Sequence, residues 1–182
     1  RLIKMGEREE NITITGAPGL DEIRIKKNKL KSKNIFCKTY DFSIDRPVIT
    51  ILFHPVLQEV KEIKKNLLEI IKGISLLSSE KIYPQLLVLS PNSDAGGDLI
   101  DNVWVEELSK LNLETRYLKH LPREEYLSAL KNSDVLLGNS SSGIIESASF
   151  GLPVLDLGSR QQAREKNANV MSINISAQEI KN

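Results

Sequence analysis

Four runs of this chain, PVITILF (47–53), QLLVLS (85–90), DVLLGN (134–139) and PVLDLG (153–158), are apolar with almost no alternation. A strand with one wet face alternates apolar and polar residues. A continuously apolar strand is covered on both faces, which points to a parallel sheet between helices. Pro47 stands first in its run, where a missing N–H is tolerated. NITITG (11–16), TRYLKH (115–120) and NVMSIN (169–174) are further strand candidates. Between the runs lie helical stripes. In 56–77, Val56, Val60, Ile63, Leu67, Ile70, Ile71, Ile74 and Leu77 recur at spacings of three and four, one face of an amphipathic helix. A second stripe in 98–111 comprises Leu99, Ile100, Val103, Trp104 and Leu108, and 122–132 opens on Pro122, Glu124 and Glu125, which suit a first helical turn. This alternation predicts a doubly wound α/β fold, a parallel sheet with helices on both faces, as one domain over 1–182. The basic stretch IRIKKNKLKSKN (23–34) has no clean period and reads as a solvated helix end followed by a mobile surface loop.

Composition narrows the function classes. Twenty-five Lys and Arg against 24 Asp and Glu leave a formal charge of +1, so neither nucleic acid nor an anionic membrane is indicated. No apolar run reaches the length of a membrane span, and RLIKMGEREE is too charged for a signal peptide. The single cysteine, Cys37, excludes an internal disulfide and fits a reducing, cytoplasmic setting. One cysteine and two histidines cannot build a standard zinc cluster, so no metal is expected, and no cofactor. The chain opens at Arg1 rather than at a methionine, and is expected to be a fragment of a longer protein.

In an open parallel sheet, ligands bind beyond the carboxyl ends of the strands. The residues following the predicted strands include His54, the turn Pro91-Asn92-Ser93-Asp94-Ala95-Gly96-Gly97, His120-Leu121-Pro122, Gly138-Asn139-Ser140-Ser141-Ser142-Gly143, and Gly158-Ser159-Arg160. Taken singly, each has a structural explanation: Asp94 is a helix cap, His54 is hydrogen-bonded loop structure. Collected on one rim, the glycines, short donors and Arg160 have the profile of a phosphate or nucleotide site.

The three serines of LLGNSSSGIIESASFG pose a choice between nucleophile and cradle. A nucleophile elbow needs G-x-S-x-G, with its histidine later in the chain. Here one residue too many precedes Gly143, and both His54 and His120 come before the serines. A cradle fits better. If Asn139 or Ser140 caps the following helix, unpaired N–H groups and the dipole face outward. Gly143 then gives a ligand close access, and Glu146, four residues after Ser142, suits neighbouring hydroxyls such as those of a ribose.

Taken together, GNSSSGIIESASFGLPVLDLGSRQQARE, SPNSDAGG, FHP and MGE…ITGAPGLD resemble the hydrolysing UDP-N-acetylglucosamine 2-epimerases, in their C-terminal half. The resemblance runs in order over nearly the whole chain. It implies one half of a GT-B type enzyme, two Rossmann-like halves facing a cleft. It also implies UDP elimination from UDP-GlcNAc and water addition, giving N-acetylmannosamine for sialic acid-type sugar synthesis. By position it implies that His54 contacts the diphosphate and that Asn92 and the Leu121 backbone bracket the uracil. Ser140 and Ser141 bind phosphate oxygens, Glu146 holds the ribose, and Arg160 closes the site. The family's acid/base carboxylates belong to the other half, so this chain alone is expected to be inactive, and the whole enzyme dimeric. A diacetamido-bacillosamine substrate fits the same resemblance. Alternatives are a non-hydrolysing epimerase, against which GNSSSG in place of a D-S-G-G turn argues, a GT-B glycosyltransferase, and a non-catalytic nucleotide-binding module.

Overall fold

A computed structural model describes residues 1–182. Its elements run, in chain order, α1 (Gly19–Lys26), α2 (Lys33–Tyr40), β1 (Val48–Leu52), α3 (Ile63–Leu76), β2 (Gln85–Leu89), α4 (Gly97–Leu108), β3 (Thr115–Leu118), α5 (Arg123–Asn132), β4 (Val135–Gly138), α6 (Ser142–Ile145), β5 (Val154–Leu157), β6 (Val170–Ile173) and α7 (Ala177–Lys181). All six strands are parallel, in the order β3-β2-β1-β4-β5-β6. The chain winds outward from β1 through β2 to β3, then returns to β4 and winds the other way. The reversal falls between β1 and β4, and in doubly wound sheets the ligand crevice lies at that point.

The continuously apolar strands occupy the centre as their composition demands. Every residue of β2 is buried. Residue parity sorts the side chains between two faces. Ile49, Ile51, Leu86, Val88 and Leu137 pack with Ile63, Leu67, Ile70 and Ile74 of α3 and with Trp104 of α4. Val48, Leu87 and Leu89 face the other way onto Phe36, Cys37 and Tyr40 of α2, and Leu136 and Val154 face Ile23 of α1 and Leu127 and Leu130 of α5. Full burial of one such aliphatic side chain is worth about 1.5–3 kcal/mol.

Three expectations need correction. NITITG is not a strand: a 3-10 turn at Glu9–Asn11 leads into irregular, exposed chain, with Ile14 94% exposed. β-branched residues form a strand only where a partner strand and a packed face receive them, and this segment has neither. The 56–77 stripe is not one helix, because a 3-10 segment at Leu57–Glu62 with a kink at Glu59 precedes α3. The basic stretch 23–34 is not a loop. It holds the end of α1, a 3-10 turn at Lys27–Lys29, and the start of α2, capped by the Ser32 hydroxyl, which accepts from Ile35 N–H at 3.4 Å. Its lysines are engaged: Lys31 pairs with Glu125 at 2.8 Å and Lys33 with Asp134 at 3.0 Å, tying α2 to α5 and its end. No helix is long and apolar enough to cross a membrane.

Candidate functional site

The carboxyl ends of β1 and β4 are drawn together by two residues. Gly138 closes β4 with φ +145°, and a Cβ on it would lie 2.0 Å from the Leu52 carbonyl oxygen. Only glycine permits both that conformation and that approach. Asn139 follows, 1% exposed. Its Oδ1 accepts from the His54 backbone N–H at 2.7 Å, and its Nδ2 donates to the His54 carbonyl at 2.9 Å. Asn139 is therefore not the helix cap its position suggested. It is a clamp across the switch point.

Around that clamp the rim residues converge. His54 Nδ1 accepts from the Asn92 N–H at 3.1 Å. A neutral imidazole with one acceptor nitrogen donates from the other, so Nε2–H is the free donor. Arg160 Nη1 and Gln161 Nε2 both donate to the Asn139 carbonyl, at 3.1 and 2.9 Å. His54, Asn92, Asn139 and Arg160 thus form one bonded network spanning β1, the β2 loop, β4 and the β5 loop. Burial, and next to it the Arg160 charge, brings the His54 pKa down to about 4. The imidazole is accordingly neutral in the unliganded protein, which corrects the expectation of a protonated His54.

That depression makes stability pH-dependent. The unfolded chain binds a proton on His54 near its ordinary pKa of about 6.5, the folded chain only near 4. Stability from this group is therefore complete above pH 6.5 and lost as pH falls from 6.5 to 4. Urea unfolding of the wild type is expected to show that loss, with His54 supplying on the order of 2 kcal/mol of it. His54→Gln is expected to remove that share of the slope between pH 6.5 and 4. An unchanged slope would show that His54 is not the group responsible.

The serine segment is shorter than a helical cradle. α6 is one turn, followed by a 3-10 turn at Ser147–Phe150, so a macrodipole contributes little. The donors are more local. The N–H groups of Ser140 and Ser141 have no partner within the protein, and Ser141 carries no side-chain cap bond. Ser140 Oγ lies 3.1 Å from Ser142 Oγ, which in turn bonds the Tyr126 hydroxyl. Gly143 does not open the helix to a ligand as expected. A Cβ there would meet Val154 Cγ1 at 2.9 Å, so this glycine lets α6 sit on β5.

Glu146 is buried and ion-paired with Arg123, which also donates from Nε to Glu22 at 3.2 Å. Leu121 packs its side chain on the Phe36 cluster, leaving only its backbone to the rim. Beside Asn92, a polar cleft of about 440 Å³ is lined by Ser90, Asp94, Asp101 and Lys119 among others. Arg123, Tyr126 and Gln161 were not anticipated. One signal for Arg123 was present: a cation at the first position of a helix opposes the dipole, so its presence there calls for another reason.

The family model described as UDP-N-acetylglucosamine 2-epimerase matches residues 1–182. The chain belongs to the UDP-N-acetylglucosamine 2-epimerase family. Among its relatives is a Legionella pneumophila protein named UDP-N,N'-diacetylbacillosamine 2-epimerase (hydrolyzing), 44% identical over 96% of this chain and 44% of that protein. A Campylobacter jejuni GDP/UDP-N,N'-diacetylbacillosamine 2-epimerase (hydrolyzing) is 28% identical over the same shares. The chain thus spans a little under half the length of these curated relatives. In fold it is similar to the UDP-GlcNAc 2-epimerase of Neisseria meningitidis bound to UDP-GlcNAc, with a TM-score of 0.73, 18% identity, and 99% of this chain covered against 48% of that one. It is also similar to S. aureus MnaA in a co-structure with UDP, with a TM-score of 0.72, 21% identity, and 99% covered against 45%. The architecture is accordingly one Rossmann-like half of the GT-B type.

Proposed function

We propose that this chain is the UDP-binding half of a hydrolysing 2-epimerase that eliminates UDP from UDP-GlcNAc and adds water to release N-acetylmannosamine. The observation that carries this reading is the network at the switch point. His54, Asn92, Asn139 and Arg160 meet between β1 and β4, with the unpaired N–H groups of Ser140 and Ser141 beside them. Elimination expels UDP as an anion. Donors fixed before the reaction stabilise charge that develops on the leaving phosphate without reorganising. His54 serves as such a donor through Nε2–H in its neutral form, with Arg160 and the serine N–H groups beside it. Glu146 takes the ribose hydroxyls, and Asn92 with the Leu121 backbone takes the base. None of these groups attacks anything. The carboxylates that move protons at the sugar belong to the other half of the enzyme, so the isolated chain turns over nothing.

The name of the 44% identical Legionella relative favours a second reading of the sugar, a diacetamido-bacillosamine in place of N-acetylglucosamine. Both readings make the same prediction for this half. Calorimetry is expected to show UDP binding to the chain, weakened in both His54→Ala and Glu146→Ala by about ten- to a hundredfold, the effect of losing one charge-assisted bond, with thermal unfolding little changed for His54→Ala at pH 7.5. UDP affinity unchanged in both variants would refute the site. For the whole enzyme, free UDP and an epimerised sugar are the expected products, without an added acceptor.

A further inference from the structure

Glu146 is joined to a second carboxylate by one arginine. Arg123, first residue of α5, pairs through Nη2 with Glu146 Oε1, donates from Nε to Glu22 Oε2 at 3.2 Å, and reaches the Gly19 carbonyl at 3.4 Å. Glu22 is itself held by Lys26 at 3.0 Å, and Lys26 by Glu124 at 2.8 Å. The helix that carries Glu22 is firmly seated, because Ile23 is 2% exposed against Leu127, Leu130, Leu152 and Val154. A guanidinium is a rigid planar fork that can address two acceptors in two fixed directions, which an ammonium cannot do with the same geometry. Helix stability does not explain the residue, since a cation at the start of α5 opposes the dipole.

We propose that Arg123 is a positioning residue for nucleotide recognition: it engages one oxygen of the Glu146 carboxylate and leaves Oε2 for the vicinal hydroxyls of the ligand's ribose. Through Glu22 the same arginine makes that setting depend on where α1 sits. The inference rests on the nucleotide reading above and deepens it. Discrimination between a ribose and a sugar lacking the diol then resides in a pair, Arg123 and Glu146, rather than in Glu146 alone. Without Arg123 the Glu146 side chain loses its one fixed contact, and its carboxylate samples rotamers that no longer meet a diol.

The test compares UDP with 2′,3′-dideoxy-UDP by calorimetry on the chain and its variants. The unaltered protein is expected to prefer UDP by about tenfold. In Arg123→Gln, UDP affinity is expected to fall by about that factor while dideoxy-UDP affinity stays within about twofold, so the preference collapses toward one. Arg123→Lys is expected to restore only part of it, because one ammonium cannot hold both carboxylates in the same geometry. Glu22→Gln, on a partly exposed side chain that touches no ligand, provides a variant that spares the core, and is expected to lower the preference by about twofold. Equal losses for both nucleotides in Arg123→Gln would assign the arginine a structural role and overturn the inference. So would a preference that survives both Arg123→Gln and Glu22→Gln. Absence of UDP binding by the unaltered protein overturns the nucleotide reading itself, which separates that failure from this one.

Discussion

Gly138→Ala is expected to cost this fold on the order of 4 kcal/mol, against a typical total of about 5–15. The reason is a double constraint at one atom. The backbone at Gly138 has φ +145°, a region that residues bearing a Cβ rarely adopt, and the added methyl would sit 2.0 Å from the Leu52 carbonyl oxygen and 2.7 Å from its carbon. Strain of that kind costs about 1–3 kcal/mol, and an overlap costs about as much again when the neighbour cannot give way. Here the neighbour is backbone. Leu52 is the ladder partner of Gly138, held by the β1–β4 pairing, so moving it shifts the end of the central strand. Gly143→Ala is the informative contrast. Its Cβ would meet Val154 Cγ1 at 2.9 Å, the end of a side chain rather than main chain, and the expected loss is about 1–2 kcal/mol. Urea unfolding of the two variants measures both. Equal midpoints for them would show that the β1–β4 approach is not the constraint it looks to be. The expectation extends to function, because the same approach sets the distance between His54 and Asn139.

The contrast between those two glycines also shows where sequence reasoning succeeds and fails. The central strands were readable because burial on both faces leaves a mark in the residues themselves: QLLVL has no polar partner face to alternate with. The strand ends were readable for the same reason, since an apolar run must stop somewhere and the turn residues mark the place. NITITG carried the same local signal as a strand, but what it lacked was a neighbour, and that is a property of the assembled sheet. α2 was hidden by its lysines: Phe36, Cys37 and Tyr40 form its buried face, and Lys31 and Lys33 beside them, charged in sequence, are consumed in pairs with residues some hundred positions away. In the site, the residue types at the rim could be read because they follow strands. Their bonding could not. Asn139 had the composition of a cap and became a clamp, and Arg123 is defined by Glu22 and Glu146 on two other segments. The charge state of His54 depends on burial and on Arg160, neither of which His-Pro in a sequence reveals.

The clamp makes the second large prediction. Asn139→Ala removes one side chain and leaves two backbone groups of His54, its N–H and its carbonyl, without the bonds they make at 2.7 and 2.9 Å. The loss of a partner leaves the full desolvation penalty of each group, about 1–3 kcal/mol apiece, and Asn139 is 1% exposed, so water cannot readily take its place. A destabilisation of about 3–4 kcal/mol is therefore expected in urea unfolding. Asn139→Asp separates the two bonds. A carboxylate still accepts from the His54 N–H but cannot donate to the His54 carbonyl, and it places a buried negative charge against that oxygen. It is expected to be no more stable than the alanine variant at pH 7 despite its closer shape. A single lost hydrogen bond would instead leave Asp well above Ala. UDP affinity supplies the functional half of the comparison. Because His54 hangs from this clamp and Arg160 and Gln161 close on its carbonyl, Asn139→Ala is expected to weaken UDP binding more than His54→Ala does, although Asn139 itself is buried behind the rim. Weaker binding in His54→Ala than in Asn139→Ala would mean that the imidazole holds its place without the clamp, and that the rim is set by the loops rather than by the two strand ends.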